Sequence, residues 1–388
     1  MVYSKKLAYL ILGIIFLFNI IGMAIYSYLG RYLQYLGITK ILIQVIVTLL
    51  PLSSFIFPPI WGKLSDRFQN RRIFILFGAL SLPIIFLLFI FIHNLIPIII
   101  FVLFYGMASS LMGLSFILFQ EVVFNNQSYI SYYNSMVVLG WFFGAQLGGL
   151  FIDFFGIGNL FVFLLIFSLI NLTLSVFLKE ERASILEGFE RYMARPRTMD
   201  PLIQNKDLPF SPSIYYGLFF RNFGIRPIMS IITIIMAFHL PTDSEIGFLV
   251  GINPLIQFFL MIIMGKVISA KNQKSFMIGG YILSGIVILG YILSTDFIGF
   301  LLFQILVSFS YSMFWSATHF YIAQNTTPKN KGQYVSIANS SFYLGSFLGG
   351  LFFSGMLIIN PNYYIAMVPL ILFPLISATI IGFTFSSE

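Results

Sequence analysis

Residues 129–144 read YISYYNSMVVLGWFFG, and residues 334–349 read YVSIANSSFYLGSFLG. At a constant offset of 205 residues, eight of the sixteen positions are identical: Tyr129/Tyr334, Ser131/Ser336, Asn134/Asn339, Ser135/Ser340, Leu139/Leu344, Gly140/Gly345, Phe142/Phe347 and Gly144/Gly349. Both copies lie inside long apolar stretches. Working outward, twelve such stretches cover the chain, at about 7–29, 41–60, 73–92, 97–120, 133–155, 159–178, 213–239, 246–265, 275–294, 297–323, 334–358 and 362–384. Each has about the 20 residues that a membrane-crossing helix needs. The repeat lays span 5 on span 11. Six spans return the chain to the side it started from, so the halves repeat in parallel, which implies two bundles around an axis along the membrane normal with a site between them near the midplane. The expected architecture is all-α, with an N-terminal bundle over 1–178, a central loop over 179–212 and a C-terminal bundle over 213–388.

Composition agrees. The chain is 59% hydrophobic and 9% charged, against roughly a quarter charged in soluble domains. Basic residues are sorted. Of 21, 17 fall in alternate gaps: Lys5, Lys6, Lys63, Arg67, Arg71, Arg72, Lys179, Arg182, Arg191, Arg195, Arg197, Lys206, Lys266, Lys271, Lys274, Lys329 and Lys331. The opposite gaps hold Arg31 and Lys40, and Arg221 and Arg226 lie within a span. Cytoplasmic loops retain basic residues during insertion, so both termini are expected in the cytoplasm and the protein in a plasma membrane. The net charge of +8 is therefore that bias, not a nucleic-acid patch. The first span is too long for a signal-peptide core and reads as uncleaved. The central loop is rich in charge and proline, and residues 181–194 have the spacing of a short amphipathic surface helix.

After span 2 the chain reads Gly62-Lys63-Leu64-Ser65-Asp66-Arg67-Phe68-Gln69-Asn70-Arg71-Arg72. This resembles the signature loop of the major facilitator superfamily, at the place where that family carries it. Its counterpart, from Gly265 to Lys274, keeps Gly-Lys and lacks the aspartate. The resemblance covers the whole chain and implies a twelve-helix secondary transporter working by alternating access. It also implies that Gly62, Asp66, Arg67, Arg71 and Arg72 latch the cytoplasmic side. Glycine at 62 permits close helix approach, Asp66 is expected near a helix N-terminus, and Arg67 is expected to pair with Glu121. Gly144-Ala145-Gln146-Leu147-Gly148-Gly149 resembles the glycine motif of the family's drug exporters, with alanine in place of proline. Small residues four apart, Gly140/Gly144 and Gly345/Gly349, are read as helix packing.

Span 7 carries Arg221, Asn222, Arg226 and Pro227. Arg226 falls roughly 15–20 Å from the span's inner end, where a charge costs about 2.5–3.5 kcal/mol even on the lenient insertion scale, so it must face protein or water. Two roles fit. It contacts an anionic or polar substrate, or it pairs with carbonyls or a carboxylate and holds the helix. Arg221, nearer the interface, is placed to snorkel. Pro227 is expected to allow a bend. Span 10 carries Gln304, Ser308, Tyr311, Trp315 and His319 on one helix face. The family lines its cavity with spans 1, 4, 7 and 10, so Asn19, Tyr26 and Tyr105 join the expected lining, each with interhelical bonding as the competing role.

No deep carboxylate marks a proton path. Asp153, His319 or exchange of anions remains open for coupling. The sequence has no cysteine, three scattered histidines and no nucleotide loop, so no enzyme, metal or cofactor is expected. The partners expected are lipid, a small solute and a coupling proton or exchanged anion, with the protein as a monomer. Two other readings are an exporter of lipophilic compounds working as a proton antiporter, and a non-transporting sensor or scaffold.

Overall fold

The computed structural model describes residues 4–68, 70–123, 127–180, 210–326 and 331–385, with helices and no strand among them. Spans 1, 2 and 3 are α1 (Lys5–Tyr35), α2 (Lys40–Phe68) and α3 (Arg71–Phe91). Span 4 is α4 (Leu95–Met112) continued by α5 (Leu114–Val122). Spans 5 and 6 are α6 (Gln127–Phe155) and α7 (Leu160–Val176). Span 7 is α8 (Ser213–Met229) and α9 (Ile232–Met236). Spans 8 to 11 are α10 (Asp243–Val267), α11 (Gln273–Leu293), α12 (Phe297–Gln324) and α13 (Lys331–Ile359). Span 12 is α14 (Tyr363–Met367), a 3-10 segment and α15 (Leu372–Thr384). The spans form two six-helix bundles. The expected surface helix at 181–194, and most of the central loop, lie outside the described residues.

Eleven of these spans are long and apolar enough to cross a membrane; span 7 falls outside that set because it is broken. The break is not at Pro227, which stays within α8, but at Ser230 and Ile231. Proline has no N–H for the carbonyl of Phe223 one turn back. The chain leaves the helix a few residues later, where the Ser230 hydroxyl donates to Pro227 O at 2.7 Å. Several helices also overrun their apolar stretches. Apolar runs mark the hydrocarbon, about 30 Å thick, while the helix continues into the polar zone. Arg31, expected in a gap, is therefore inside α1, and Gly62–Phe68 are the last turns of α2.

The repeat is visible in the packing. A β-carbon at Gly140 would lie 2.7 Å from Phe16 O, and one at Gly144 would collide with Ile20 O. In the other half, β-carbons at Gly345 and Gly349 would collide with Phe219 O and Phe223 O. Spans 5 and 11 thus lie backbone-on-backbone against spans 1 and 7 at equivalent positions. Phe16 and Phe219 are equivalent, as are Ile20 and Phe223, and the same offset aligns Asn19 with Asn222. Both asparagines donate to the carbonyl four residues back, Ile15 O at 2.7 Å and Leu218 O at 2.6 Å. Span 5 also runs along span 8, and span 11 along span 2, to join the halves. There a β-carbon at Gly149 would collide with Asp243 O, and one at Gly350 with the Thr48 hydroxyl.

The two ends of the molecule differ. At the end away from the basic loops the halves are tied together. Arg31 pairs with Asp243. The Asp153 carboxylate accepts from the amides of Asp243 (2.7 Å) and Ser244 (2.8 Å), so span 5 caps the first turn of span 8. The Tyr28 hydroxyl donates to Ala145 O at 3.0 Å and lies 3.4 Å from Asp243 O. Lys40 donates to Pro361 O at 3.0 Å, and Thr233 to Ser27 O. At the basic end, β-carbons at Gly62, Gly265 and Gly332 would meet no described atom within 4 Å.

Candidate functional site

A cavity of about 340 Å³ lies between the bundles, beneath the closed end. It is lined from spans 1, 2, 5, 7, 8, 10 and 11. Much of the wall is apolar, from Met23, Leu50, Trp141, Met229, Val307 and Phe342 among others. Several of its hydroxyls are turned onto their own helices. Thr48 bonds Gln44 O at 2.6 Å, Ser54 bonds Leu50 O at 3.1 Å, and Ser346 bonds Phe342 O at 2.8 Å.

Both span 7 arginines line this cavity. Arg226 donates from Nη1 to the Tyr26 hydroxyl at 3.1 Å, across the bundles. Its guanidinium lies 4.6 Å from the Phe342 ring centroid and 5.9 Å from that of Tyr26, within reach of the ring quadrupoles. Its Nε is buried with no protein partner. Arg221 is more tightly held: Nε donates to Ser284 Oγ and Nη1 to Asn222 Oδ1, both at 3.0 Å. It stacks 4.3 Å over Phe314 and is 2% exposed, so it does not snorkel as expected. The bonds from Ser284 and Asn222 hold it inward. Among the described residues, no carboxylate lies within ion-pair distance of either guanidinium, and no lining residue is acidic.

Of the other expected lining residues, Tyr26 and Tyr311 reach the cavity. Asn19, Asn222, Tyr105, Gln304, Trp315 and His319 do not. Asn19 and Asn222 close onto their own helices. Tyr105 is buried against Phe86, and span 4 contributes nothing to the wall. Gln304 and Ser308 are fully buried against span 8, where Gln304 Oε1 accepts from Asn253 Nδ2 at 3.0 Å and Ser308 bonds Asn253 O at 3.0 Å. Trp315 packs on Tyr311, Phe342 and His319, with centroids 5.7, 5.6 and 4.4 Å away. The wall residues missed from sequence include Gln44, Trp141, Asn253, Gln257 and Tyr343, from spans 2, 5, 8 and 11. The three amides carried a usable signal, since polar groups inside a span are costly and seldom idle. Asp153, a candidate for coupling, is engaged in the cap described above and is not among the cavity-lining residues.

The signature cluster is rearranged relative to expectation. Arg71, not Arg67, meets Glu121, with Nη2 at 2.8 Å and Nε at 3.1 Å from its oxygens. Arg71 also lies 3.2 Å from Asp66 and donates to Ser65 Oγ at 3.4 Å. Asp66 sits in the last turn of α2, and the cap of α3 is Asn70, accepting from the Ile73 amide at 3.2 Å. Because α2 runs on through Phe68, Arg67 stays on an exposed helix face. The Arg72 amide donates to the Glu180 carboxylate at 2.6 Å. Gly62 makes no close approach in this conformation.

These features place the chain among multi-pass membrane transporters. The chain belongs to the major facilitator superfamily, whose model matches residues 10–212 and 214–386. It is 24% identical over 341 residues, covering 83% of each chain, to an uncharacterized MFS-type transporter of Methanocaldococcus jannaschii. Among solved structures it resembles a mutant of the nucleoside transporter NupG with a TM-score of 0.78 at 11% identity, covering 98% of this chain and 100% of that one. It resembles a POT family transporter in complex with 5-aminolevulinic acid with a TM-score of 0.74 at 14% identity, covering 97% and 96%. It also resembles a bacterial homolog of the human lysosomal transporter Spinster, in an inward-facing and unoccupied conformation, with a TM-score of 0.69 at 13% identity, covering 98% and 96%. At such identities the likeness speaks for the fold alone.

Proposed function

We propose that this transporter moves a small organic anion across the plasma membrane by rocking its two bundles, 1–178 and 213–388, around the central cavity. The observation that carries this reading is the pair of span 7 guanidiniums lining one cavity with no carboxylate beside them. A charge at that depth costs about 2.5–3.5 kcal/mol, and an anionic solute supplies the missing counter-charge. Arg226 is the anchor, with one hydrogen bond and an unpartnered Nε; Arg221 is the second donor. With the basic loops in the cytoplasm, the ties at the opposite end support an inward-facing cavity. The lining holds neither a carboxylate nor a histidine, which favours exchange of anions over proton coupling within the cavity. The apolar walls favour a second reading, export of lipophilic compounds, although cationic compounds would meet two like charges.

Thermal shift of the purified protein against organic acids, phosphates, sugars and lipophilic cations, repeated with Arg226→Ala, tests the reading. A ligand at 100 times its dissociation constant adds about 2.7 kcal/mol of stability. The expected result is stabilisation of the native protein by an anion and its loss in the variant. Stabilisation by lipophilic cations alone, or an equal response in the variant, overturns it.

A further inference from the structure

Opposite the arginines, on span 2, Gln44 lines the same cavity and is 1% exposed. Its Nε2 faces Ser230 Oγ at 3.5 Å, across the bundle interface. Its Oε1 is buried and has no protein partner. Amide oxygen and nitrogen are assigned from the surrounding network. A serine hydroxyl carries a single proton, and that of Ser230 is directed to Pro227 O at 2.7 Å. Towards Gln44, Ser230 can therefore only accept, so the amide nitrogen faces it and the oxygen is left over. Turning the amide over would require Ser230 to give up its bond to Pro227 O.

The same wall carries hydrogen-bond donors, Arg226 with its unpartnered Nε among them. We infer that Gln44 Oε1 is a subsite for a hydrogen-bond donor on the solute, so that the transported anion carries a hydroxyl or N–H group close to its acid group. This rests on the anion reading above. The two partners are neighbours along span 7. The Ser230 amide donates to Arg226 O at 3.1 Å, so the Gln44 contact lies one helical turn, about 5.4 Å along the axis, beyond the Arg226 backbone. A compact hydroxy acid or amino acid spans both subsites from one bundle to the other. An acid without a donor leaves the buried oxygen unsatisfied, and a site of that kind discriminates strongly against the analogue that lacks the group.

Matched pairs test this: lactate against propionate, malate against succinate, and phenyllactate against phenylpropionate, with affinity measured by titration on the full-length protein. The expected result is that, in whichever pair binds, the hydroxylated member binds about tenfold more tightly. That preference disappears in Gln44→Met, whereas Arg226→Ala weakens both members alike. Equal binding of the two members by the native protein overturns the subsite and leaves the anion reading standing. A preference that persists in Gln44→Met overturns it as well, since the donor is then read elsewhere. If no anion binds, the anion reading fails and the subsite falls with it. The native comparison needs no variant, and Gln44→Leu serves as a second replacement should Gln44→Met fail to fold.

Discussion

Removing the Asp153 carboxylate should open the far end of the cavity more often. In the conformation described here that carboxylate accepts from two first-turn amides of span 8, Asp243 N at 2.7 Å and Ser244 N at 2.8 Å. Span 5 and span 8 belong to different bundles, so this cap exists only while the far end is closed. Once the bundles part, water takes over those amides, and Thr242 continues to cap α10 by accepting from Glu245 N at 3.3 Å. The loss therefore falls on one state. Asp153 is exposed, so a value near the middle of the range for losing a capping side chain is appropriate, about 1 kcal/mol. That multiplies the population open at the far end by about fivefold. The chain contains no cysteine, so a single Met23→Cys in the cavity wall reports without background. A membrane-impermeant maleimide, applied to the face opposite the basic loops, should label Asp153→Ala/Met23→Cys about fivefold faster than Met23→Cys alone. An unchanged or slower rate would refute the argument, showing that the cap does not favour the closed end.

Gly349→Val places side-chain atoms against Phe223 O, where no flexible group can yield; it should destabilise the protein by at least about 1–3 kcal/mol. Gly355→Ala, on the same helix with nothing within 4 Å, should leave the melting temperature nearly unchanged. Arg71→Ala removes the guanidinium that holds Glu121 and Asp66 and should cost about 1–3 kcal/mol in a thermal melt, whereas Arg67→Ala, on an exposed face, should stay within about 0.5 kcal/mol.

The repeat, the twelve spans and the sidedness of charge could be read directly from the sequence, because lipid admits so few ways of satisfying a backbone. Arg226 was legible for the same reason, as a charge inside a span has few places to go. The rest of the wall was harder. A stripe such as Gln304–His319 shows that one helix face is special, but the azimuth of the helix decides whether that face meets solute or neighbour. Here only Tyr311 meets the cavity, while Gln304 and Ser308 meet Asn253. Gln44 stands four residues from Thr48 on the same wall face, a signal too short to mark a stripe, and the role proposed for it depends on where the Ser230 hydroxyl proton is directed. The exchange of Arg67 for Arg71 follows from α2 continuing to Phe68, a boundary that hydropathy does not mark.

The glycine seams have a mechanical consequence. Where Gly140 and Gly144 lie on span 1, and Gly345 and Gly349 on span 7, backbone meets backbone, flanked by the ring contacts Phe16–Phe143 and Phe223–Phe352. Each seam behaves as a rigid strut. One end of the span 5 strut carries the Asp153 cap and its middle carries Trp141; the span 7 strut carries both arginines. Under the rocking mechanism proposed above, tilting a strut moves wall and closure as one lever, so affinity and access are coupled at the seam residues. A substitution there that alters one should alter the other in proportion.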